Sequence, residues 1–109
     1  MLTVIETPVF IASAATIWTD AERVEFIDWI ADHPLAGDVI PGAGGLRKVR
    51  WMRQGIGKRG GVRVIYFTRL ASGELVLLLV YAKAKFDSLR PEFLLRLKEK
   101  FDEQAKNRP

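Results

Sequence analysis

Leu75 to Tyr81 reads L-V-L-L-L-V-Y, apolar at every position. Side chains alternate across a strand, so this segment presents apolar groups to both faces at once. It has the length of a strand and suits a central position in a sheet. It is far shorter than the roughly 18 apolar residues of a membrane-spanning helix. The chain must therefore build a sheet around this segment and cover it.

The rest of the sequence supplies the remaining elements. Leu2 to Glu6 alternate and carry Thr, Val and Ile, which suggests a first strand. Thr7-Pro8 reads as an N-cap and first helical residue opening a short Ala-rich helix to Thr16. Thr19 with Glu22 makes a capping box for a second helix, Asp20 to Asp32. Val24, Ile27 and Ile30 follow helical spacing there and are expected in the core. His33-Pro34 ends that helix, because a residue before proline resists the α conformation. After a glycine-rich loop from Leu35 to Gly45, strands are expected over Leu46–Arg53, Val62–Arg69 and Leu75–Ala82. Q-G-I-G-K-R-G-G joins the first two, and a tight turn at Ala71-Ser72-Gly73-Glu74 joins the last two. A final helix is expected from Ser88 to Ala105, burying Leu94, Leu95, Leu97 and Phe101 and wetting Lys98, Lys100 and Glu103. The order β-α-α-β-β-β-α predicts an α+β fold, an antiparallel sheet with helices packed against it. A chain of 109 residues has room for one such domain, residues 1–109.

Charge is unevenly placed. From Val39 to Gly73 there is no Asp or Glu, yet Arg47, Lys48, Arg50, Arg53, Lys58, Arg59, Arg63 and Arg69 all fall there, out of 17 basic residues. Such segregation builds a positive potential of the kind that attracts a polyanion. Basic residues also solvate exposed strands, but 35 residues without an acid favour a binding function. No cysteine is present, which removes disulfides and thiolate metal sites. The opening M-L-T-V-I-E-T-P has no basic n-region, and a cytoplasmic protein without a membrane segment is expected.

Strand alternation sorts the cations. If Val49, Trp51, Val62 and Val64 enter the core, Lys48, Arg50 and Arg63 project from the opposite face, with Lys58 and Arg59 on the loop above. Guanidinium forks match phosphate geometry and stay charged, and lysine adds a movable point charge. A cluster of this kind binds phosphodiesters and can stabilise the charge that builds up in phosphoryl transfer. RNA cleavage needs little more, because the 2′-hydroxyl can attack the adjacent phosphorus without a metal. No His/Cys cluster, paired-carboxylate motif or Walker pattern is present, so no metal and no cofactor are expected. The G-x-G-x-x-G at Gly55 to Gly60 lies between strands with no helix after it and reads as coincidence. His33, the single histidine, reads as a helix-terminal residue. Trp18, Trp29 and Trp51 read as packing residues, while Tyr66 and Tyr81 are core residues or base-stacking groups.

Three segments in order, G-D-V-I-P-G-A-G-G-L-R-K-V-R-W, G-K-R-G-G-V-R-V-I-Y-F and L-L-L-V-Y-A-K-A-K-F-D-S-L, resemble the RelE/HigB superfamily of type II toxin–antitoxin toxins, its HigB-like branch above all. The resemblance spans Gly37 to Leu89. It implies a compact microbial-RNase-like fold and an mRNA interferase, an endoribonuclease that cuts mRNA in the ribosomal A site without metal. Lys48 and Arg50 match the family's basic strand, Arg63 its arginine on the next strand, and Lys83 with Tyr81 its C-terminal basic/tyrosine element. Arg47, Lys58, Arg59 and Lys85 are the accompanying RNA-binding candidates. RelE itself has an arginine and a tyrosine after the last strand, where this chain has Lys83, Ala84, Lys85 and Phe86. The implied partners are mRNA, the ribosome and a HigA-like helix-turn-helix antitoxin, with DNA met only through the antitoxin complex. A non-catalytic RNA- or ribosome-binding module is the alternative reading.

Overall fold

A computed structural model describes residues 2–51, 61–82 and 89–106. Three helices pack on a five-stranded mixed sheet, giving an α+β fold. The elements are β1 (Thr3–Glu6), α1 (Pro8–Ala15), α2 (Asp20–Asp32), β2 (Asp38–Val39), β3 (Arg47–Trp51), β4 (Val62–Arg69), β5 (Glu74–Ala82) and α3 (Pro91–Lys106). Among the described residues no helix is long and apolar enough to cross a membrane.

The strand order is β1-β5-β4-β3-β2, so β5 has neighbours on both sides. Its double-sided apolar pattern is used as expected. Leu75, Leu77 and Val80 join Phe10 and Ala14 of α1 and Phe26 and Ile30 of α2 in one core layer. Val76, Leu78 and Tyr81 join Leu94 of α3 in the other. A register shift at Ile65/Tyr66 breaks the alternation of β5, so that Leu78 and Leu79 both serve the α3 layer between Leu77 and Val80 of the other.

The sheet differs from expectation in two ways. It is mixed rather than antiparallel, because β1 pairs parallel to β5, Thr3 opposite Glu74 through Glu6 opposite Leu77. Strands β2 to β5 pair antiparallel, and among the described residues only a 3₁₀ turn, Leu70–Ser72, lies between any two of them. Strand β1 is joined to β5 by two helices and three strands, a connection long enough for parallel pairing. The second difference is β2, a two-residue strand inside the segment expected to be loop.

Helix ends follow the sequence closely. Thr7 caps α1 by accepting from the Phe10 amide at 3.2 Å, and its hydroxyl donates to the Leu77 carbonyl at 2.8 Å. Thr19 and Glu22 form the full capping box of α2. Beyond the end of β1, Ser13 Oγ accepts from the Val80 amide at 3.1 Å and so closes part of the open side of β5. α3 starts at Pro91, a residue type preorganised for the first helical position, three residues after the expected Ser88, which lies outside the described residues. Val24 is not in the core: it is 46% exposed. The buried stripe of α2 centres on Phe26 and Ile30, and Val24 sits about 160° round the helix from Phe26.

The segment after α2 is tied down by Tyr66. Its hydroxyl accepts from the Gly37 amide at 2.8 Å and donates to the Pro34 carbonyl at 2.9 Å. A methyl group at Gly37 would lie 2.9 Å from the Tyr66 ring and 3.0 Å from the Lys48 carbonyl, so only glycine fits. Burial, the largest cause, raises the Tyr66 pKa above its ordinary 10.0. Tyr66→Phe keeps the ring but strips partners from a buried amide and a carbonyl, and is expected to cost about 1–3 kcal/mol. The sign with pH follows from the raised value. Above about pH 10 the unfolded chain loses this proton first, so wild-type stability falls while the Phe variant is spared that slope. Denaturant melts between pH 8 and pH 11 should therefore show the gap between the two proteins narrowing, and a constant gap would refute the assignment.

Candidate nucleic-acid interface

Register places the candidate cations. Arg50 of β3 lies opposite Arg63 of β4, and Arg63 lies opposite Tyr81 of β5. Directly opposed residues share a face, so these three side chains form a row across the strands. With strands about 4.8 Å apart, the row spans roughly 10 Å. Lys48 sits two residues from Arg50 on the same strand and the same face, opposite Ile65. Val49, Trp51, Val62 and Val64 all pack in the layer below α1 and α2, as strand alternation predicts.

Exposure splits the row. Lys48 and Arg50 are exposed, whereas Arg63 is only 9% and Tyr81 6% exposed. Arg63 Nη1 lies 3.5 Å from the Val62 carbonyl. The outer cations thus meet solvent, while the inner pair is nearly enclosed.

Arg47 does not join them. It faces the opposite side of the sheet, across from Tyr66, and its Nη1 donates to the Gly37 carbonyl at 2.7 Å. Together with Tyr66 it anchors the Pro34–Gly37 segment, so the structure gives it a scaffold contact. Lys58, Arg59, Lys83 and Lys85 lie outside the described residues. His33 stacks on Trp29 at 4.8 Å, with Nδ1 2.9 Å from the Trp29 carbonyl, and stays apart from the row.

One neighbour was missed in the sequence. Asp38 lies directly opposite Lys48 on β2. The acid-free stretch begins at Val39, one residue later, and β2 is too short to be seen by alternation. A carboxylate beside Lys48 offsets part of its field and leaves Arg50 as the stronger exposed anchor for phosphate.

The arrangement can hold a phosphodiester against two guanidinium groups with a phenol beside them. No family model matches the chain.

Proposed function

We propose that this protein is a RelE/HigB-like toxin of a type II toxin–antitoxin system, a ribosome-dependent mRNA endoribonuclease. The observation that carries the reading is the Arg50–Arg63–Tyr81 row with Lys48 beside it, on the strands that bear the sequence resemblance. In this reading the RNA 2′-oxygen attacks the scissile phosphorus and the 5′-oxygen leaves. Arg63 takes the charge that builds on the non-bridging oxygens, and Arg50 and Lys48 hold the neighbouring backbone. Lys83 and Tyr81 are the proton-moving candidates, and Lys58, Arg59 and Lys85 add backbone contacts. A protein partner of the helix-turn-helix antitoxin type and a RelE-like topology belong to the same proposal. β2 and the parallel β1–β5 pair add to the β-α-α-β-β-β-α order without disturbing the three consecutive strands.

Expression without a partner should arrest growth and translation, and ribosome-bound mRNA should gain new 5′ ends within codons while the same naked RNA stays intact. Efficient cleavage of naked RNA would reject the ribosome-dependent mechanism. The low exposure of Arg63 and Tyr81 favours one second reading, a non-catalytic ribosome- or RNA-binding module that uses the exposed Lys48 and Arg50. Ribosome binding without new 5′ ends would select it.

A further inference from the structure

A cleft on the α1–α2 side of the molecule has no part in the RNA reading. It is a cavity of about 280 Å³ between the end of β1, the second half of α1 and the first turn of α2. Ile11, Ala14 and Ala15 recur at i, i+3 and i+4 and so share one face of α1. The two alanines leave the space that larger side chains would fill. The amides of Ile17 and Trp18 both donate to the Ala14 carbonyl, at 3.0 and 2.8 Å, which ends α1 and turns Trp18 back to the cleft. Its indole stacks on Phe26, with centroids 5.4 Å apart and rings 30° from parallel, and also walls the cleft.

The polar end of the cleft holds three charges. Arg23 donates to Glu6 Oε1 and lies 4.0 Å from Asp20, so one guanidinium serves two carboxylates. Oε2 of Glu6 has no partner among the described residues, and the Asp20 side chain is fully exposed. The set is thus one positive charge short. Its surroundings have the same sign: from Met1 to Leu46, Arg23 is the only Lys or Arg against seven Asp and Glu. An anion is disfavoured, because the guanidinium is taken and the Glu22 amide at the start of α2 donates to Thr19 Oγ1 at 3.2 Å. An ammonium group can reach the open oxygen of Glu6 or of Asp20, and an apolar body beside it can rest on Ile11 and Trp18. The volume falls just under the range of about 300–1,000 Å³ that holds drug-sized ligands, which keeps the occupant small. We propose that the α1–α2 cleft binds a small organic cation, a primary amine carried on an apolar body. The cleft shares no residue with the Lys48, Arg50, Arg63 and Tyr81 set, so this site stands apart from RNA cleavage.

The test uses the whole chain with labelled methyl groups and three probes of one body, phenethylamine, 2-phenylethanol and phenylacetate. Phenethylamine should shift the Ile11, Ala14 and Ala15 methyls with a Kd on the order of 1 mM. 2-Phenylethanol should bind about fivefold more weakly, and phenylacetate more weakly still. At ten times its Kd, phenethylamine should raise the melting temperature by roughly 5 °C. Glu6→Gln should bring the amine and the alcohol within twofold of each other. Glu6 also holds Arg23, so cooperative melting and unchanged far-UV circular dichroism must first show that this variant folds. Asp20→Asn, at a fully exposed site, keeps the test open if it does not, and should roughly halve the amine's advantage. Ala15→Leu, at an exposed position, should fill the cleft and weaken all three probes at least tenfold. Equal affinity for phenethylamine and 2-phenylethanol overturns the proposal. So do amine shifts confined to the second cavity, between Val9 of α1 and Leu97 of α3. Tightest binding by phenylacetate also overturns it, by showing that the cleft or the basic row prefers an anion.

Discussion

Under the proposed toxin function, Arg63→Ala is expected to lower the single-turnover rate of ribosome-dependent mRNA cleavage by about 100-fold or more. Ribosome affinity should stay within a few-fold of wild type. The asymmetry comes from position. Arg63 is central in the row, flanked by Arg50 on one strand and Tyr81 on the other, and only 9% of it meets solvent. A largely buried guanidinium adds little to long-range attraction, but acts strongly on charge that develops beside it. Arg50→Ala is the contrast. Arg50 is exposed, so its loss should weaken binding and reduce the steepness of its salt dependence more than it slows the chemical step. Because Arg63 is buried, its variant must first be shown to melt cooperatively, and Arg63→Lys, which keeps the charge without the fork, should recover part of the rate. Equal losses of affinity in the Arg63 and Arg50 variants, with unchanged single-turnover rates, would put both residues in binding alone.

The placement of these residues was legible because it depends on strand alternation. Val49, Trp51, Val62 and Val64 alternate with Lys48, Arg50 and Arg63, and burying the first set fixes where the second set points. Capping residues marked the helix starts for the same reason: Thr7, Thr19 and Glu22 act on amides three residues away. What could not be read depended on contacts between distant segments. The parallel pairing of β1 with β5 joins Thr3 to Glu74 and has no local signature. Arg47 shares the parity of Val49 and Trp51, so alternation alone turns it from the row; only its bond to the Gly37 carbonyl, across two segments, was hidden. The exposure of Val24 was hidden because Phe26 and Trp29 shift the buried stripe of α2 towards the tryptophans of neighbouring segments.

That aromatic cluster sets the largest expected loss of stability. Phe26 is fully buried, with ring centroids 5.4 Å from Trp18, 5.4 Å from Trp51 and 6.3 Å from Trp29. Trp18 also meets Phe10 edge-on at 6.4 Å, so one ring links α1, α2 and β3. Phe26→Ala removes the ring from the middle of this set, and rigid indoles cannot collapse into the space. The cost should be about 3–5 kcal/mol, a fall in melting temperature of roughly 10–20 °C. Val24→Ala on the same helix, at an exposed site, should cost well under 1 kcal/mol. The effect should also reach the candidate interface. Trp51 is the last residue of β3, and its backbone pairs with Val62 next to the Arg50–Arg63 pair. Loosening Trp51 frees that end of the strand pair, so amide exchange at Arg50 and Arg63 should quicken before the protein as a whole unfolds. Phe26→Leu keeps most of the volume and should recover more than half of the lost stability. A Phe26→Ala protein that melts within 3 °C of wild type would mean that the aromatic cluster does not hold α2 to the sheet.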